Sequence, residues 1–66
     1  MHGYQLLRVR SGRSYQALCL KNYSEVLAWA MARWPETEWA SKEERIALDL
    51  IEAFSGCEWK VLPIID

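Results

Sequence analysis

Residues 5–20 read Gln5-Leu-Leu-Arg-Val-Arg10, then Ser11-Gly12, then Arg13-Ser-Tyr-Gln-Ala-Leu-Cys-Leu20. Two β-prone runs on either side of a two-residue Ser-Gly break form the sequence signature of a β-hairpin. With Ser11-Gly12 as the loop, Arg10 faces Arg13, and Leu7, Val9, Leu18 and Leu20 fall on one face. A slip of one residue would turn Tyr15, Ala17 and Cys19 inward instead.

Downstream of the hairpin the apolar period changes from two to about 3.6. Asn22 and Glu25 have capping-box spacing, with Ser24 as a competing cap. Tyr23, Val26, Leu27, Ala30, Met31 and Trp34 make an apolar stripe, and Pro35 disfavours helical geometry at Trp34. The other side of this helix carries Ala28, Trp29 and Ala32, with Arg33 as the only charge in residues 26–34. A helix apolar nearly all round is buried on two sides or waits for a partner.

Pro35-Glu-Thr-Glu-Trp-Ala40 reads as a connection, and Ser41-Lys-Glu-Glu44 as a capping box opening a second helix. Its stripe is Ile46, Ala47, Leu50, Ile51 and Phe54, its wet side Lys42, Arg45, Asp49 and Glu52, and Gly56 its stop. Cys57-Glu-Trp-Lys-Val-Leu62 alternates as a third strand, with Cys57, Trp59 and Val61 on one face. Pro63 makes that strand an edge or ends it. The order β-β-α-α-β predicts an α+β fold. The expected architecture is a small three-stranded, mainly antiparallel sheet with two antiparallel helices packed on one face.

The chain has 66 residues, too few for a second core, so residues 1–66 are expected to form a single small globular domain. Its 52% hydrophobic content and eight aromatics exclude intrinsic disorder. No apolar run approaches the roughly 18 residues of a membrane span. The opening Met1-His-Gly-Tyr-Gln5 has neither a basic nor an apolar leader segment. No membrane association and a cytoplasmic location are the expectation. Cys19 and Cys57 are then expected to be free thiols, acting as small hydrophobes in β-like stretches.

The formal net charge of −1 excludes a globally basic nucleic-acid binder, but the charge is unevenly placed. Residues 1–33 hold Arg8, Arg10, Arg13, Lys21 and Arg33 against Glu25 alone. Residues 34–66 hold Lys42, Arg45 and Lys60 against eight acids. Such polarity steers a partner or holds the two halves together.

Catalysis finds no support. His2 is the only histidine and is expected at a frayed end, so no nucleophile has a base. Gly3, Gly12 and Gly56 are too scattered for a phosphate loop, and neither cysteine has a second ligand nearby. No enzyme activity, cofactor or metal is expected.

Two groups of residues remain as candidates for binding. Arg8, Arg10 and Arg13 gather at the hairpin tip near Tyr15, where a β-ribbon contact with nucleic acid is geometrically possible. Edge charges also simply prevent sheet-to-sheet aggregation. The other group is aromatic. Trp34 and Trp59 fall on expected core faces, whereas Trp29 lies on the second side of the first helix. Trp39 sits in a polar connection beside Glu36 and Glu38, without periodicity to bury it. It is either a lid over the helices or an exposed anchor ringed by acids.

The reading that follows is a non-enzymatic protein-interaction module, an inhibitor or adaptor that occupies the surface of a larger protein or complex. Its expected contact residues are Trp39, Glu36, Glu38 and Trp29. In size and in lacking an active site the chain is similar to small inhibitors made by phages and plasmids, such as anti-CRISPR proteins. The alternative is a small nucleic-acid-binding or regulatory protein using Arg8, Arg10 and Arg13. A monomer is favoured, with a homodimer through the second face of the first helix as a further option.

Overall fold

The structure is a computed structural model that describes residues 2–65. Its elements are β1 (His2–Arg10), β2 (Arg13–Leu20), α1 (Tyr23–Arg33), a 3-10 turn (Trp39–Ser41), α2 (Glu44–Phe54) and β3 (Trp59–Ile65). The strands form one antiparallel sheet in the order β2-β1-β3, with both helices on one face. The fold is α+β. His2, expected to fray, opens β1 opposite Ile65.

The hairpin turns as its sequence requires. Ser11 and Gly12 have φ of 52° and 77°, the paired left-handed conformations of a type I′ turn. Arg10, Val9, Arg8 and Leu7 then pair with Arg13, Ser14, Tyr15 and Gln16. Beyond this a bulge intervenes, because Leu6 pairs with Leu18 and leaves Ala17 unmatched. The extra residue reverses the alternation of β2. Leu18 and Leu20 join Leu6 and Tyr4 on the helix-covered face, while Leu7 and Val9 face the other way. The expected grouping of Leu7 and Val9 with Leu18 and Leu20 is thus overturned.

Val61 and Trp59 of β3 lie opposite Leu6 and Arg8, completing the covered face. Pro63 falls inside β3, which tolerates it because β3 is an edge. Cys57 departs from the expectation. It lies before the strand, exposed, with φ of 65°. Cys19 is also exposed, on β2, so neither free thiol fills the core.

Helix α1 starts where its cap predicts: the Asn22 Oδ1 accepts the Glu25 N–H at 3.0 Å, and the Glu25 carboxylate accepts the Lys21 N–H. Helix α2 does not start at Ser41. Glu43 caps it through its backbone, and the Ser41 hydroxyl instead donates to the Glu38 carbonyl at 3.0 Å. Ser41 closes the 3-10 turn, so the expected capping box is replaced. At the other end, the Cys57 N–H reaches the Glu52 carbonyl and the Gly56 N–H the Ala53 carbonyl. With Gly56 at φ 64°, this is a Schellman stop.

Strand parity dictates the helix directions. β2 and β3 both run against β1. Helix α1 leaves the Leu20 end of β2, and α2 delivers the chain to the Trp59 start of β3 at the opposite end of the sheet. Both helices therefore run the same way. Side chains agree: Tyr4 is adjacent to Tyr23 and hydrogen-bonded to Glu44 at one end, while Trp34 packs on Phe54 at the other. The expected antiparallel helix pair is replaced by a parallel one, and residues 34–43 return along the helices.

The core is Leu6, Val26, Ala30, Trp39, Ala47, Ile51 and Val61. Tyr4, Leu20, Tyr23, Leu27, Trp29, Trp34, Leu48, Leu50 and Trp59 pack around it. Met31, Ile46 and Phe54, expected in the stripes, are about half exposed.

Candidate interaction surface

Trp39 is buried, with only 1% of its surface exposed. Its indole Nε1–H donates to the Trp34 carbonyl at 2.9 Å, and its ring packs against Trp34 and Phe54 at centroid distances of 6.0 Å each. The returning connection carries it between the helices. The exposed-anchor reading of Trp39 is overturned in favour of the lid. Glu38 and Glu36 are exposed beside it. Glu36 lines an open concavity of about 380 Å³ with Arg33, Trp34, Pro35, Thr37 and Phe54. They no longer surround an anchor.

Trp29 is half-buried, edge-on to Trp34 at 5.7 Å and to Trp59 at 5.4 Å. The side chain of Arg33, in the last turn of α1, caps this cluster. Its guanidinium carbon lies 5.1 Å from the Trp29 ring, 5.8 Å from Trp34 and 5.4 Å from Trp59. Cation–π attraction and the negative end of the helix dipole both favour a cation there.

The arginines of the hairpin, by contrast, are brought together. Arg8 pairs with Tyr15 and Arg10 with Arg13, so all four side chains stand on the helix-side face of the sheet. Arg8, Arg10, Ser11, Tyr15 and Ala17 line an open concavity of about 610 Å³. Arg8 is tethered: its guanidinium stacks on Trp59 at 5.5 Å and donates to the Glu58 carboxylate at 3.1 Å. That is the one ion pair among the described residues. Arg10, Arg13 and Arg33 have no carboxylate partner among them.

Trp59 links the two arginine groups, because Arg8 and Arg33 both stack on its ring. The result is a surface with four guanidiniums, two half-buried indoles, and Tyr15 and Leu18 at 52% and 41% exposure. Neither helix reaches over the hairpin tip to cover it. Sequence reading found Arg8, Arg10 and Arg13 but missed Arg33, Trp59 and Leu18. Arg33 carried a signal, as the lone cation of an apolar helix. The membership of Leu18 depends on the bulge and had none.

Among the described residues no three potential ligands lie close enough to hold a metal ion. Within that range no helix is long and apolar enough to cross a membrane. Compared with known proteins, the chain matches no family model, no curated protein and no solved structure.

Proposed function

We propose that this protein is a non-enzymatic interaction module that binds an acidic surface of a larger protein, as an inhibitor or adaptor. The observation that supports this reading is the convergence of Arg8, Arg10, Arg13 and Arg33 with Tyr15, Trp29, Trp59 and Leu18 on one face. Arginine, tyrosine and tryptophan are the residues enriched in protein-interface hot spots, and exposed leucine gains by leaving water. Arg8 and Arg33 are held in place by aromatic stacking, so binding costs them little side-chain entropy. Contact by Trp39, Glu36 and Glu38 plays no part in this reading.

Nucleic-acid binding is the second reading, favoured by one observation: Arg8, Arg10 and Arg13 share a face with an exposed tyrosine able to stack on a base. Against it stand the small number of cations and the net charge of −1. The test is affinity capture from the native cell with and without nuclease, using the wild type and an Arg10→Gln/Arg13→Gln variant. Arg8 is left in place because its stack on Trp59 contributes to packing. A nuclease-resistant protein partner lost in the variant supports the proposal. Loss of every partner on nuclease treatment overturns it in favour of the second reading.

A further inference from the structure

The outer edge of β2 is bare. The strand lies at the end of the sheet, and every residue from Arg13 to Cys19 is exposed. An uncovered edge presents unpaired N–H and C=O groups to any extended chain, and native sheets blunt such edges with charge, proline, a bulge or cover. The opposite edge, β3, is blunted by Lys60 and Pro63 and packs against α2. By contrast Ser14-Tyr-Gln-Ala-Leu-Cys-Leu20 carries no charge and no proline. The Ala17 bulge is its one blunting device, and it leaves the Arg13–Gln16 arm regularly paired on β1 with its outer side open.

The outward groups on the regular arm can be identified. A type I′ hairpin closes on a hydrogen-bonded pair, here Arg10 and Arg13, and the antiparallel ladder alternates from there. Arg8 and Tyr15 form the next bonded pair. The backbone N–H and C=O of Ser14 and Gln16 therefore point away from β1, toward solvent.

Charge selects the occupant. Arg10 and Arg13 stand at one end of this edge and Lys21 follows its other end. A second copy pairing antiparallel through these outward groups, Ser14 opposite Gln16, would overlap the two hairpin tips and crowd the Arg10 and Arg13 side chains of both copies into one stretch of edge, a like-charge cost. An extended segment with acidic residues flanking an uncharged centre meets complementary charge at both ends instead. We infer that β2 takes up an extended, acid-flanked segment of the partner protein by strand addition, with Ser14 and Gln16 supplying the backbone hydrogen bonds. This rests on the proposed function and specifies how the partner is held.

The experiment uses the full chain labelled with 15N and two probe peptides. Each is an octapeptide of alternating Val and Thr, one with glutamate at both ends and the other with lysine. The glutamate peptide should shift the Ser14 and Gln16 amides and slow their hydrogen exchange by at least about tenfold. The lysine peptide should bind at least about tenfold more weakly. Gln16→Pro removes one outward N–H without touching the β1 ladder, so the fold should persist by circular dichroism. Binding should fall about tenfold or more. Arg13→Glu should weaken binding of the glutamate peptide and strengthen that of the lysine one, narrowing the preference because Arg10 and Lys21 keep their charge, and it decides the matter if Gln16→Pro does not fold. No change at Ser14 and Gln16 with either peptide at millimolar concentration overturns the inference. So does a peptide-free dimer that protects the same amides, which would assign the edge to a second copy. The native partner separates this inference from the reading beneath it. If Gln16→Pro keeps that partner while Arg10→Gln/Arg13→Gln loses it, strand addition is wrong and the arginine face stands. If both variants keep it, the arginine face falls as well.

Discussion

Truncating Trp39 to alanine should come close to unfolding the protein. The ring is the largest fully buried side chain, and it bridges α1 and α2 through Trp34 and Phe54. Replacing a buried tryptophan by alanine costs about 3–5 kcal/mol. The lost indole bond adds little, because the Trp34 carbonyl still accepts the Thr37 N–H at 3.3 Å. A domain of this length has a total stability of about 3–10 kcal/mol. At a urea slope of about 1 kcal/mol/M, a loss of about 4 kcal/mol moves the midpoint by roughly 4 M. The assay is urea denaturation followed by far-UV circular dichroism, since the substitution itself alters the fluorescence. Trp39→Phe retains most of the packing and should lose about 1–2 kcal/mol. Because that variant leaves the arginine face intact, its affinity for the partner should match the wild type. A midpoint within about 0.5 M of wild type for Trp39→Ala, well inside the shift expected from the slope, would refute the burial argument. Loss of partner affinity in a fully stable variant would return Trp39 to the interface.

Other expectations follow from single contacts. Asn22→Ala should cost about 1 kcal/mol in a urea midpoint, as the side-chain cap of α1, whereas Ser41→Ala should cost under about 0.5 kcal/mol because its hydroxyl caps no helix. Gly56→Ala meets no neighbouring atom but must hold a positive φ, so a loss of about 1 kcal/mol is expected by the same measurement. Burial raises the Tyr23 phenol above its ordinary value, and its hydroxyl has no partner among the described residues. The neutral form is thus favoured in the fold, so its contribution is complete below the unfolded phenol value and is lost as pH climbs through the raised one. Absorbance titration should show a late tyrosine component that is lost in Tyr23→Phe, and that variant should be at least as stable at neutral pH.

How much of this was readable in the sequence differs between elements for identifiable reasons. The Ser11-Gly12 turn, the Asn22 cap and the Gly56 stop are local devices whose residues fix their own backbone. Each was legible. The Ala17 bulge was not, because an alternating pattern carries no mark of an extra residue. Only the demand that Leu6 and Leu20 share a core decides it. Ser41 and Glu44 match a capping box in spacing, yet the chain spends Ser41 on the 3-10 turn that seats Trp39. Among the candidate contacts, Arg8, Arg10 and Arg13 converge because strand pairing sets their face. Trp39 was misplaced because its polar neighbours in sequence, Glu36 and Glu38, are not its neighbours in space.

One topological fact connects the buried tryptophan with the bare strand. With β1 in the middle and both outer strands running against it, the chain must cross from the Leu20 end of the sheet to the Trp59 end. Two antiparallel helices would return it to the wrong end. A parallel pair solves this at the expense of a connection that retraces the helices, and ten residues, 34–43, make that return. Parallel helices joined in this way leave a gap that the connection itself must fill, and Trp39 fills it. The same crossing carries the chain from α1, over β1 and β2, to α2, over β3. The hairpin tip and the edge of β2 lie on the far side of that path. They are left uncovered by the connectivity itself, and it is there that Arg10 and Arg13 stand, without a carboxylate partner among the described residues.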